Sequence, residues 1–166
     1  WQKDSVNING ATSISYTISS LTTTHAGTYR CIVSNAFGTV TSNAATLTVG
    51  IAPAITNQPA DQNAIVGSSP TFTVTATGTA TLSYQWQKDG TNISGATSAS
   101  YTIDNVQIDA NGTTYRCYIL NKYGNVTSSS ATLAVGYVPV FALHPISADK
   151  IQGSSFTFSI SLSAGT

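Results

Sequence analysis

The side chains of this chain that could do chemistry are few, and their spacing keeps them apart. Two cysteines (Cys31, Cys117), two histidines (His25, His144) and six acids make up the stock, and every acid is Asp. A thiol acts as a nucleophile only with a base within hydrogen-bond reach. Neither His recurs beside a Cys or an Asp, so no Cys–His or His–Asp pair is expected. The run Asp109-Ala110-Asn111-Gly112 opens like a calcium loop but lacks the ligands that should follow. No Gly-rich loop leads from a strand into a helix, as phosphate binding would need. The sequence therefore points away from an enzyme, and no metal or cofactor is expected.

The remaining polar chemistry lies on the surface. Three Asn-x-Ser/Thr sequons occur, at Asn92, Asn111 and Asn125, and an alternating row runs Thr71, Thr73, Thr75, Thr77. Two readings fit these residues. One is plain β propensity in a chain rich in Ser and Thr. The other is a glycan-bearing face.

Charge narrows the partners. Charged residues are 7% of the chain and the net charge is zero. No long-range field favours nucleic acid or an anionic membrane surface. No apolar run reaches the ~18 residues of a membrane helix.

The elements that position these residues repeat. Trp1-Gln2-Lys3-Asp4 returns as Trp86-Gln87-Lys88-Asp89, and Tyr29-Arg30-Cys31 as Tyr115-Arg116-Cys117. Pro53, Pro59, Gly67 and Phe72 return as Pro139, Pro145, Gly153 and Phe158. The period is about 86 residues, the size of a domain rather than of a solenoid turn. Three units follow. Residues 1–50 are the back part of one repeat, 51–136 a whole repeat, and 137–166 the front part of a third. Cys31 and Cys117 hold the same position in successive repeats, so they are not expected to pair with each other.

The whole repeat reads as short alternating runs split by turn residues, the pattern of an all-β sandwich. Strands are expected at 54–58, 62–66, 70–77, 82–88, 99–103, 113–120 and 125–135. Phe72, Val74, Tyr84, Trp86, Tyr101, Tyr115, Cys117 and Ile119 should face inward. Asp89-Gly90 and Asn121-Lys122-Tyr123-Gly124 should be tight turns. No segment has a helical period. The joints 50–53 and 136–139 are too short to give neighbouring domains much freedom.

With a Trp on the third strand, a Tyr two residues before a Cys, and an Asn-x-x-Gly hairpin after it, the chain resembles the immunoglobulin fold. It is similar to I-set-like tandem repeats of bacterial extracellular and cell-surface proteins. The resemblance implies tandem β-sandwiches, one complete and two partial, built around Trp1, Tyr29, Cys31, Val74, Trp86, Tyr115 and Cys117. It also implies a departure. Val74 stands where the family's second-strand Cys would be, with Ile160 in the third repeat, so both cysteines should be reduced and buried. Each domain would then forgo the ~2–5 kcal/mol that a native disulfide often contributes.

The end pieces are complementary. The tail should supply the first two strands of a sandwich and the head the rest. The expectation is a structural repeat unit of an extracellular fibre, stalk or giant surface adhesin, with copies joined head-to-tail. Phe156, Phe158 and Ile160 of one copy would lie beside Trp1 and Cys31 of the next. The alternative is a carbohydrate- or protein-binding module of a secreted or surface protein.

Overall fold

The structure, a computed structural model, describes residues 1–163 of the chain. It is all-β apart from two single 3₁₀ turns.

Residues 51–136 form a sandwich around one apolar core. Ser83–Lys88 pairs along its whole length with Thr114–Asn121, placing Trp86 opposite Cys117 and Tyr84 opposite Ile119. Thr114–Asn121 alternates buried and part-exposed residues throughout, as a strand with one face on the core must. Thr91–Asn92 extends this sheet at one edge. Ala131–Gly136 and Gln62–Ile65 extend it at the other, the last two running parallel. The facing layer is built from two short pairs: Thr71–Thr73 with Ser100–Thr102, and Thr75–Thr77 with Ala54–Asn57. Between the layers lie Phe72, Val74, Trp86, Val106, Tyr115, Cys117, Ile119 and Leu133, all buried.

Several expected strands are interrupted, each for a local reason. The run 70–77 divides at Val74, whose N–H turns to the Ala99 carbonyl before the strand changes partner. The run 125–135 divides at Ser128-Ser129-Ser130. There the Ser128 hydroxyl accepts the Cys117 N–H at 2.9 Å and donates to the Ser129 carbonyl. A side chain thus takes a ladder position, and the strand shifts to a new register. The 3₁₀ turns, Thr23–His25 and Ile108–Ala110, are single turns too short for a helical period to register in sequence.

Residues 1–49 repeat the second half of this plan. Gln2–Lys3 pairs with Val6–Asn7 and with Gly27–Arg30, which pairs in turn with Ala45–Leu47. Ile32–Asn35 and Gly38–Thr41 form the hairpin. In the tail, Phe141–Leu143 pairs with Ser161–Leu162. Among the described residues no helix is long and apolar enough to cross a membrane.

Candidate functional site

In the complete domain the core is an aromatic cluster. Phe72 stacks on Tyr115 with ring centroids 4.7 Å apart and tilts against Trp86 at 6.2 Å. Tyr101 stands 6.4 Å from Trp86 and 6.0 Å from Tyr115. The Trp86 indole N–H donates to the Ser98 carbonyl at 3.0 Å, so its one polar atom is satisfied. Phe72, Trp86 and Cys117 are fully buried.

The half domain 1–49 reproduces the polar frame of this cluster almost bond for bond. Trp1 Nε1 donates to the Ser13 carbonyl at 3.1 Å. Arg30 Nε donates to Gln2 Oε1 at 2.8 Å, as Arg116 does to Gln87 at 2.7 Å. The Asp4 carboxylate accepts the Thr28 N–H at 2.8 Å, as Asp89 accepts that of Thr114 at 2.8 Å. Cys31 N–H donates to Ser42 Oγ, as Cys117 does to Ser128 Oγ. Tyr16 stacks on Tyr29 at 6.2 Å, in the places of Tyr101 and Tyr115.

What the half domain lacks is the facing strand. Where Phe72 sits in the complete domain, residues 1–49 have an open groove of about 240 Å³, lined by Trp1, Tyr16, Ile18, Tyr29 and Leu47. A second opening of about 600 Å³ runs past Trp1, Ile14, Cys31 and Val33. Ile14 is fully exposed there. Cys31 is part-exposed rather than buried, which corrects the expectation, because no described residue covers it as the layer carrying Phe72 and Val74 covers Cys117. Both cysteines are free. Burial pushes the Cys117 thiol pKa up, partly opposed by a hydrogen bond with the Gln85 backbone.

The tail residues expected beside Trp1 do not lie there within one chain. Phe156, Phe158 and Ile160 are exposed, Phe158 at 70%. Phe156 and Phe158 touch each other edge-on at 5.0 Å. Their spacing matches Pro70, Phe72 and Val74, but among the described residues no second layer buries them.

The tyrosine corner differs between the two repeats. Tyr29 Oη donates to the His25 carbonyl at 2.7 Å. In the complete domain an extra residue shifts the loop, and the Thr113 hydroxyl takes the corresponding Ala110 carbonyl. The surface candidates are exposed: Thr71, Thr73, Thr75, Thr77, Asn92, Asn111 and Asn125. Thr71 and Thr102 hydroxyls are bonded across the strands at 2.8 Å. Asn111 Oδ1 accepts the Val135 N–H and so is engaged in the fold. Asp109 and its neighbours gather no metal-binding group among the described residues.

Sequence reasoning left Tyr16, Ile18 and Leu47 unassigned as groove residues. Their equivalence to Tyr101, Ile103 and Leu133 was the available signal. That reasoning read Asn121 as a turn residue only, whereas its Nδ2 also donates to the Ile51 and Thr79 carbonyls at the domain joint.

Comparison with known proteins agrees with this geometry. The immunoglobulin I-set domain matches residues 53–135, and the immunoglobulin domain matches residues 1–44. The chain belongs to the immunoglobulin I-set family. Mouse protein sidekick-2 is 34% identical over 73% of this chain, which covers 6% of that protein. Endoglucanase C of Cellulomonas fimi is 34% identical over 78% of the chain, which covers 12% of it. Human leucine-rich repeats and immunoglobulin-like domains protein 1 is 33% identical over 69% of the chain, which covers 11% of it. The chain thus spans only a small part of each relative. The titin I-band fragment I67–I69 superposes with a TM-score of 0.62 at 24% identity, over 75% of this chain and 47% of that one. Extracellular domains 3–5 of Drosophila OTK superpose with a TM-score of 0.57 at 21% identity, over 69% and 41%. Both likenesses concern the tandem fold alone.

Proposed function

We propose that this chain is a structural repeat unit of an extracellular or cell-surface fibre, stalk or giant adhesin. Residues 51–136 are its autonomous domain. Residues 1–50 and 137–166 are complementary parts of a second sandwich, completed head-to-tail by neighbouring copies. One observation carries the reading. The half domain holds an open apolar groove in the place of Phe72, and the exposed tail carries Phe158 at the equivalent position. Burying each such side chain is worth about 1.5–3 kcal/mol, so three of them suffice to hold a strand. A contact of this kind does not close on itself and therefore propagates. Thr71–Thr77 and the sequons at Asn92, Asn111 and Asn125 are where a glycan would sit on the outside of such a fibre.

The test is assembly of the chain in solution, followed by sedimentation velocity and electron microscopy. The wild-type chain should form linear arrays, and Phe158→Asp should remain a monomer with an unchanged melting transition for 51–136. If the same groove is filled by an earlier segment of one long polypeptide, the chain will stay monomeric at every concentration and the head-to-tail reading fails.

A further inference from the structure

The sequence contains two Asn-Gly steps, Asn9-Gly10 and Asn111-Gly112. At such a step the backbone nitrogen can reach the side-chain amide, because glycine has no Cβ to hinder the approach. Both asparagines are solvent-exposed, and they differ in how they are held. Asn111 Oδ1 accepts the Val135 N–H at 2.9 Å, and the Gly112 N–H donates to the Leu133 carbonyl at 2.8 Å. The electrophile and the nucleophile of that step are both tied to the strand Ala131–Gly136.

Nothing ties the other step. Ile8–Ala11 is a tight turn closed by the Ala11 N–H on the Ile8 carbonyl at 3.2 Å, with Asn9 and Gly10 at its centre and Gly10 at φ +75°. The side-chain bonds nearby, Gln2 to Asn7 and Trp1 to Ser13, pass it by. Among the described residues neither the Asn9 side chain nor the Gly10 N–H has a hydrogen-bond partner. This openness belongs to the turn itself. The complete domain builds the same turn over Ile93–Ala96, with the same 3.2 Å closing bond and Gly95 also at φ +75°. Ser94 and Gly95 are exposed there although the core beneath is closed. No atom lies within 4 Å of where a Cβ would stand on Gly10 or Gly95.

We propose that Asn9 is a site of spontaneous deamidation and that the fold holds Asn111 out of the same reaction. Base takes the Gly10 amide proton, and the nitrogen attacks Asn9 Cγ. The side-chain nitrogen leaves as ammonia, and the new N–Cγ bond closes a five-membered imide. Water then adds to one of the two imide carbonyls and breaks its C–N bond, giving aspartate or isoaspartate. Each conversion adds a negative charge to a chain whose net charge is zero. Isoaspartate also puts an extra carbon into the backbone of the turn that leads to Ser13, the acceptor of the Trp1 indole. The site is independent of head-to-tail assembly, since the matching turn stays exposed in the complete domain.

The experiment ages three full-length chains in mildly alkaline buffer: wild type, Asn9→Ser and Ser94→Asn. Trypsin separates the two steps into Asp4–Arg30 and Asp89–Arg116, which are mapped by tandem mass spectrometry. The mass gain of an NH2-to-OH exchange should accumulate at Asn9 about tenfold faster than at Asn111, or more, since Asn111 must first break two hydrogen bonds. In guanidinium chloride the two rates should converge. Asn9→Ser, which installs the residue of the complete domain, should abolish the early acidic band on isoelectric focusing. Ser94→Asn places the amide in the same turn of the closed domain, so position 94 should convert as Asn9 does while Asn111 stays slow. That variant separates the turn from the open packing of residues 1–49. Equal native rates at Asn9 and Asn111 would overturn the proposal, as would a position 94 that converts no faster than Asn111.

Discussion

Residues 1–49 and 51–136 carry the same polar frame and differ in what covers it. In both, an indole N–H meets a loop carbonyl, an Arg meets a Gln, an Asp holds a Thr N–H, and a Cys N–H meets a Ser hydroxyl. Yet Trp86 and Cys117 are fully buried, whereas Trp1 and Cys31 are part-exposed. The difference comes from one layer, 54–77, which supplies Phe72 and Val74. Hydrogen bonds between neighbouring strands set the frame, since both partners lie within residues 1–49 in the one and within 86–128 in the other. Exclusion of water from the core depends on the strand of the facing layer, which residues 1–49 do not contain, and that exclusion is the main stabilising term.

The largest break in the comparison should come from the two tryptophans. Trp86→Ala in the covered core should cost about 3–5 kcal/mol and unfold 51–136 near room temperature, read by denaturant titration. Trp1→Ala in the unassembled chain should barely move that transition. Equal losses would show that the half domain has a closed core of its own.

The two cysteines sharpen the contrast at the level of kinetics. In the native monomer Cys31 should react with a thiol reagent at least tenfold faster than Cys117, whose buried thiol resists ionisation. In denaturant both should react fully. Head-to-tail assembly should slow Cys31 toward the rate of Cys117, because the incoming strand covers it.

The smallest effect belongs to the two aspartates. Asp89 and Asp4 have pKa values lowered chiefly by the backbone N–H groups of Thr114 and Thr28, then by their hydroxyls. A carboxylate whose folded pKa is depressed adds stability above its unfolded value, and loses it as pH falls through the folded one. Melting temperature should therefore be flat down to about pH 4 and drop below it. Asp89→Asn should start lower and show a shallower drop. An unchanged acid limb in that variant would remove Asp89 from the account.

Much of this was legible in the residues themselves. A domain-length period, strict alternation in 113–120, and Asp89-Gly90 with both residues at positive φ in a two-residue hairpin are local facts, and local chemistry is written locally. The inward Trp86, Tyr115 and Cys117 follow from alternation, since a strand offers only two faces. The break of 70–77 at Val74 and of 125–135 at Ser128 was not legible, because each is caused by a group from another strand, the Ala99 carbonyl and the Cys117 N–H. The double use of Asn121 was hidden for the same reason. In sequence it is a turn residue before Tyr123. Only folding brings it within 3 Å of the Ile51 and Thr79 carbonyls. Sequence by itself determined the repeat and the strand faces, and the family resemblance added the absent disulfide partner at Val74. Tertiary structure decided which copies of those features are covered, because burial depends on a second layer closing over the first.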